Sequence, residues 1–241
     1  MKRLFLLLMF NLTLAQGQTL YAHSWYVTDS NLNPITEYKK HEVRSIASLT
    51  KLVTVMVALD DGRADPILVE DAMVRSSNSA AIQLCKKYSQ GYRACIVALN
   101  KKVQSLGATK TVIVEPSGLD NKNKSTAADV ARLVRAASYY PAIVDASHRR
   151  TIQRGRSIFK NTNPTVDKNT VVSKTGWTFA SGGCIAVMYN HRIYVILGSR
   201  DTHTRVSDLL VLRTRYNRPA IESGLYNDSV PEDLLTNLWG P

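Results

Sequence analysis

Three short polar signals stand in order along the chain: Ser48-Leu-Thr-Lys51, Ser76-Ser-Asn78 and Lys174-Thr-Gly176. Together they hold the ingredients of an acyl transfer in which lysine, not histidine, activates a serine nucleophile. Ser48 and Lys51 are three residues apart, a spacing that puts an amine and a hydroxyl on one helix face. A helix N-terminus there favours negative charge developing on the serine oxygen. A buried lysine beside another cation loses its proton readily and can act as general base, and Lys174 is the candidate for that second charge. Ser76 can relay a proton and Asn78 can hold a substrate carbonyl. Lys174 and Thr175 can bind a carboxylate, while Gly176 would let a substrate lie close along a strand edge. Each signal alone has an ordinary explanation as an N-cap, a turn cluster or an exposed strand end. The three in order carry the reading.

The elements that must position these side chains follow from periodicity. Residues 19–28, with Tyr21, Trp25, Tyr26 and Val27, predict a strand, and 35–38 a second one after a turn. The dense apolar run after Ser48 predicts a helix buried nearly all round and ending near Asp60-Asp61-Gly62. Helices are expected over 66–75, 79–88 and 91–106, the last stopped by Gly107, and another behind the cap Ser125-Thr126. A strand is expected over 111–115, further strands around Val171-Val172, 184–188 and 193–197, and a closing helix over 207–215. Strands come first and last and helices fill the middle. That layout is α+β, one antiparallel sheet built from N- and C-terminal strands with a central helical cluster.

The apolar content of 44% excludes general disorder, and 241 residues suffice for one substantial domain. Lys2 and Arg3 before the apolar run 4–10 read as a signal peptide over 1–15, leaving one domain over 16–218 and a weakly periodic tail over 219–241. That run is too short for an ordinary membrane anchor, so a periplasmic or secreted location is expected. The formal charge of +12 falls to +10 without Lys2 and Arg3. With no nucleic-acid module in sight, such a charge on an exported chain suits an anionic wall or headgroup surface. Cys85, Cys95 and Cys184 match no zinc spacing, so neither metal nor cofactor is expected. Cys85 and Cys95 lie on consecutive predicted helices and are able to pair in an oxidising compartment; Cys184 reads as a core residue.

Four further stretches accompany the motifs: Ser105-Leu-Gly107, Glu115-Pro-Ser-Gly-Leu119, Ser125-Thr-Ala with Asp129, and Asn161-Thr-Asn163. With them the chain, from about Trp25 to Arg215, resembles the low-molecular-mass penicillin-binding proteins, the serine D-alanyl-D-alanine carboxypeptidase and endopeptidase family. It most resembles the endopeptidase-type branch. The resemblance implies a β-lactamase/DD-peptidase-like fold. It also implies Ser48 as nucleophile, Lys51 as its base, and Ser76 and Asn78 as proton relay and substrate grip. Lys174, Thr175, Gly176 and Trp177 would form the substrate-binding edge, with the backbone N–H groups of Ser48 and Trp177 as the oxyanion hole. Arg205 is an extra carboxylate contact, with Arg200 as its competitor. The implied partners are peptidoglycan stem peptides as substrate and β-lactams as inhibitors.

Two departures from the family pattern stand out. Only 24 residues lie between Lys51 and Ser76, where the family carries a small β-lobe and helix, and Ser77 replaces a glycine or acidic residue. The alternatives are a non-catalytic wall- or penicillin-binding relic and, more remotely, a class A β-lactamase. The latter needs a water-activating glutamate, and Glu115 is the only glutamate between Asn78 and Lys174.

Overall fold

Apolar runs from both ends of the chain meet in one sheet. The structure, a computed structural model, describes residues 19–216, so the expected signal peptide and tail lie outside the described residues. Strands β1 (Ser24–Asp29) and β2 (Pro34–Tyr38) form a hairpin, and β3 (Arg44–Ser45) leads into a 3₁₀ turn, Ala47–Leu49. Helices α1 (Thr50–Asp60), α2 (Pro66–Met73), α3 (Asn78–Lys86) and α4 (Gly91–Ser105) follow. Then come β4 (Lys124–Ser125), α5 (Ala127–Ala137), α6 (Pro141–His148) and the hairpin β5 (Thr151–Arg154)–β6 (Ser157–Lys160). Strands β7 (Thr170–Thr178), β8 (Gly182–Tyr189) and β9 (Arg192–Ser199) and helix α7 (Thr204–Tyr216) complete the order.

The main sheet is antiparallel, in the order β2-β1-β9-β8-β7, so the first strands join the last as the sequence implies. Period-two alternation divides its side chains between two cores. Cys184, Ala186 and Met188 of β8 and Ile193, Val195 and Leu197 of β9 face the helical cluster. Ile185, Val187 and Tyr189, with Tyr194 and Ile196, face Leu209 and Leu212 of α7. Burial on both faces explains why these strands read as unbroken apolar runs. The edge strand β7 inherits the division: Lys174 and Gly176 pair with Ala186 and Cys184 and share the helical face, whereas Thr175 and Trp177 share the α7 face.

Several expectations need correction. The first strand begins at Ser24, not at residue 19. Residues 111–115 form no strand, only an isolated bridge between Val112 and Lys124. The Oδ1 of Asn123 accepts from the backbone of Val114 and Glu115, taking the N–H groups that a ladder would use. Helix α6 and the β5–β6 hairpin had no counterpart in the sequence reading; Pro141 at the first turn of α6 was the available signal. The 24-residue stretch is consumed by the rest of α1, a turn at Gly62 (φ +70°) and α2, whose cap Asp65 accepts from Ile67 N–H. Cys85 and Cys95 form a disulfide joining α3 to α4, and Cys184 is a buried free thiol.

Candidate active site

Ser48 lies not in α1 but in the 3₁₀ turn just before it, behind Ala47, whose φ of +44° is uncommon for a residue with a side chain. The hydroxyl of Thr50 donates to Ala47 O at 2.8 Å and holds the turn. Lys51, in the first turn of α1, is completely buried. Its Nζ is 2.7 Å from Ser48 Oγ and 2.7 Å from Asn78 Oδ1, and it also meets the carbonyl of Ser117. A neutral lysine has two N–H groups and one lone pair. The Asn78 Oδ1 and the Ser117 carbonyl can only accept, so they take the two N–H groups and leave the lone pair to the Ser48 hydroxyl. Burial lowers the Lys51 pKa from 10.5 to about 7, against the pull of the Glu115 carboxylate. Burial, rather than the charge of Lys174, is therefore the main cause of this shift.

The second motif spans the break between α2 and α3. Ser76 has a φ of +57°, Ser77 Oγ caps α3 by accepting from Ala80 N–H at 3.2 Å, and Asn78 opens the helix. Ser77 thus has a plain structural role. Lys174 of β7 donates to Ser76 Oγ at 2.8 Å and to Thr175 O at 2.9 Å, tying the third motif to the second. Its pKa is held well below the usual lysine range by burial, and further by the positive charges of Lys51 and Arg205. Thr175 donates its hydroxyl to Thr162 Oγ1 at 2.7 Å. Arg205 of α7 donates to Gly176 O at 2.8 Å and lies over Thr162 O, whereas Arg200 stacks 4.1 Å above the Tyr21 ring. Arg205 is therefore the arginine at the β7 edge. Ser48, Lys51, Ser76, Asn78, Lys174, Thr175, Gly176 and Arg205 thus come together where the helical cluster meets β7, and Trp177 follows Gly176 on that strand.

Gly176 plays a part the sequence did not reveal. A Cβ there would stand 2.9 Å from both Ile46 O and Ser48 N, so the glycine lets β7 press on the turn carrying Ser48. Gly118 does the same from the other side. Its φ is +84°, and a Cβ would fall 2.0 Å from Ala47 O and 2.7 Å from Ser48 N. The Ser48 peptide is pinched between two glycines.

Other residues of the site were not legible as such. Glu115 shapes the loop holding Ser117 and Gly118: its carboxylate accepts from Ser117 N (2.7 Å), Ser117 Oγ (2.6 Å), Gly118 N and Asn123 Nδ2 (2.9 Å). That loop delivers the Ser117 carbonyl to Lys51. Thr162 links its backbone N–H to Val74 O, beside the second motif, and its hydroxyl to Thr175. These groups act through backbone atoms or through partners far away in sequence, so spacing does not announce them. Only their membership of the two accompanying stretches pointed to them.

A family model described as D-alanyl-D-alanine carboxypeptidase matches residues 64–198. The D-alanyl-D-alanine endopeptidase of Escherichia coli K12 is 32% identical, across 84% of this chain and 79% of that protein. Among solved structures, penicillin-binding protein D2 of Listeria monocytogenes in its ampicillin-bound form superposes with a TM-score of 0.74, at 20% identity, covering 83% of this chain and 99% of that one. The Streptomyces K15 DD-transpeptidase gives a TM-score of 0.74 at 18% identity, covering 81% of this chain and 97% of that one. These two likenesses carry the fold, and the sequence matches carry the kinship: the chain belongs to the D-alanyl-D-alanine carboxypeptidase family.

Proposed function

We propose that the chain is a serine DD-peptidase that hydrolyses D-alanyl peptide bonds of peptidoglycan through an acyl-enzyme on Ser48, and that β-lactams acylate the same residue. The contact of Lys51 with Ser48 at 2.7 Å, by an amine whose pKa is about 7, carries this reading. Lys51 takes the hydroxyl proton as Ser48 Oγ attacks the D-alanyl carbonyl. The N–H groups of Ser48 and Trp177 stabilise the oxyanion. The C–N bond then breaks as protonated Lys51 returns its proton through the Ser76 hydroxyl to the departing amine, which leaves Lys51 neutral again, with Lys174 holding the Ser76 hydroxyl in place. Water attacks the resulting ester, Lys51 again removes the proton, and the shortened peptide leaves with Ser48 restored. Lys174, Thr175 and Arg205 supply the positive, hydrogen-bonding edge for the substrate's carboxylate.

Glu115 is spent on its own loop, so it does not serve as the water-activating glutamate of a class A β-lactamase. Among the described residues no helix is long and apolar enough to cross a membrane. The charged, apolar N-terminus supports export to the cell-wall compartment.

Labelled penicillin followed by peptide mass spectrometry tests the proposal. A covalent adduct on Ser48, absent from Ser48→Ala, is expected. A folded protein that takes no adduct would be a non-catalytic relic of the family. Incubation with cross-linked and with uncross-linked muropeptides then separates endopeptidase from carboxypeptidase action.

A further inference from the structure

The only glutamate between the second and third motifs holds more than its own loop. The Glu115 carboxylate accepts from Ser117 N at 2.7 Å, Ser117 Oγ at 2.6 Å, Asp120 N at 3.3 Å, Asn123 Nδ2 at 2.9 Å, and Gly118 N. One anion thus gathers residues 115–123, and the gathered loop lies along the start of α1. The Ser117 carbonyl accepts from Lys51 Nζ and, at 3.4 Å, from Ser48 Oγ. The Pro116 carbonyl takes the Thr54 hydroxyl at 2.7 Å, and Asn123 Nδ2 donates to Thr50 Oγ1 at 3.2 Å. Gly118 presses on the Ser48 amide. Ser48, Thr50, Lys51 and Thr54 are all met by a loop whose shape is set by the Glu115 carboxylate.

The charge on that side chain is not neutralised in place. Glu115 takes part in none of the ion pairs among the described residues. The cation that feels it is the buried Lys51, whose affinity for a proton it raises against the larger effect of burial. Lys174 of β7 faces Lys51 from the other side, with Arg205 of α7 acting on Lys174 in turn, so Glu115 is the counterweight to positive charge there. Asn78 of α3 is uncharged. Tyr92 of α4 also faces the carboxylate, and burial and that charge both push its hydroxyl pKa up, so it stays neutral where Lys51 titrates.

We infer that Glu115 is a positioning residue for acylation: its hydrogen bonds hold the Ser48–Lys51 pair together through the Ser117–Gly118 loop, and its charge sets the pH range in which Lys51 works. This rests on the assignment of Ser48 as the acylated serine. Lys51 must keep the serine proton long enough to return it through Ser76, and a carboxylate one loop away favours that charged interval.

The test is the pH profile of acylation by a labelled penicillin for wild type, Glu115→Gln and Glu115→Asp, with a melting curve for each. Glu115→Gln keeps the shape and loses the charge, so Lys51 gives up its proton more readily. The half-maximal rate should move from about 7 down to about 6, with the plateau lowered less than tenfold. Glu115→Asp keeps the charge and is one methylene too short to reach Ser117, Gly118 and Asn123 together. Its midpoint should stay near 7 while its plateau falls about tenfold or more. A loop that merely loosened and admitted water would move the Glu115→Gln midpoint the opposite way, upward. A Glu115→Gln midpoint at or above that of wild type overturns the inference, as does a Glu115→Asp plateau equal to wild type. Should Glu115→Gln not fold, the Glu115→Asp profile decides alone. A wild type that takes no adduct on Ser48 would bring down the proposed function itself, whereas a contrary profile in a labelled protein removes only the role of Glu115.

Discussion

The two walls that close on Ser48 are alike in plan and different in charge. The helical wall contributes Lys51 and Gly118, and the sheet edge contributes Lys174 and Gly176. Both lysines are buried and both lose proton affinity. Lys51, however, feels a carboxylate, Glu115, while Lys174 feels two cations, Lys51 and Arg205. The first environment leaves an amine poised near neutrality, the condition for moving a proton to and fro. The second environment gathers positive charge, which suits the carboxylate-holding role proposed for Lys174, as the first suits the proton transfer proposed for Lys51.

The largest effect should come from breaking the first half of that comparison. Lys51→Met is expected to slow acylation by penicillin about a thousandfold, the range of a lost general base. Lys174→Met should lose less in the acylation step and more in binding, read as a rise in KM for D-alanyl substrates. Wild-type acylation should rise with pH and reach half its maximum at about 7, because Lys51 is protonated and unable to accept below that point. A flat profile between pH 5.5 and 8.5 would remove Lys51 from the role of base.

The glycines sharpen the comparison at the next level. Gly118→Ala meets both a left-handed φ of +84° and a carbonyl 2.0 Å away, whereas Gly176→Ala meets atoms at 2.9 Å and no such φ. We expect Gly118→Ala to cost about 3 kcal/mol of stability, or to displace Ser48 with a comparable loss of acylation. Gly176→Ala should cost less. Thermal melts and penicillin labelling of the two variants decide the order, and a larger loss at Gly176 would show that the sheet edge, not the loop, holds the nucleophile.

What the sequence disclosed and what it withheld divide along the same lines. The side chains proposed to do chemistry, from Ser48 to Arg205, could be named from the sequence because such a reaction constrains their types and order. The sheet was readable because Val, Ile and Tyr recur in runs at both ends of the chain. The scaffold around Ser48 was not. Glu115, Ser117 and Asn123 work through carbonyls, amides and a carboxylate that replaces ladder bonds, which is why residues 111–115 looked like a strand and are not one. Gly176 was read as making room for a substrate, and its missing Cβ also makes room for the Ser48 turn. The Cys85–Cys95 bond could be posed but not decided, because pairing depends on how α3 crosses α4.

That bond supplies the gentlest way to separate the two walls. It ties α3, which carries Asn78 at its first residue, to α4 on the helical side, and among the described residues no disulfide ties β7. Closing a loop with a sequence separation of 10 should stabilise the fold by about 2.5 kcal/mol on the chain-entropy account. Cys85→Ala together with Cys95→Ala should therefore lower the melting temperature by roughly 5–10 °C. Acylation of the protein that remains folded should change little, because Asn78 is also held by Lys51 and its helix by the Ser77 cap. Should acylation fall in step with the lost disulfide while the melting temperature holds, the bond would be positioning Asn78 rather than stabilising the fold. The helical wall would then depend on a covalent tie that the sheet edge does without.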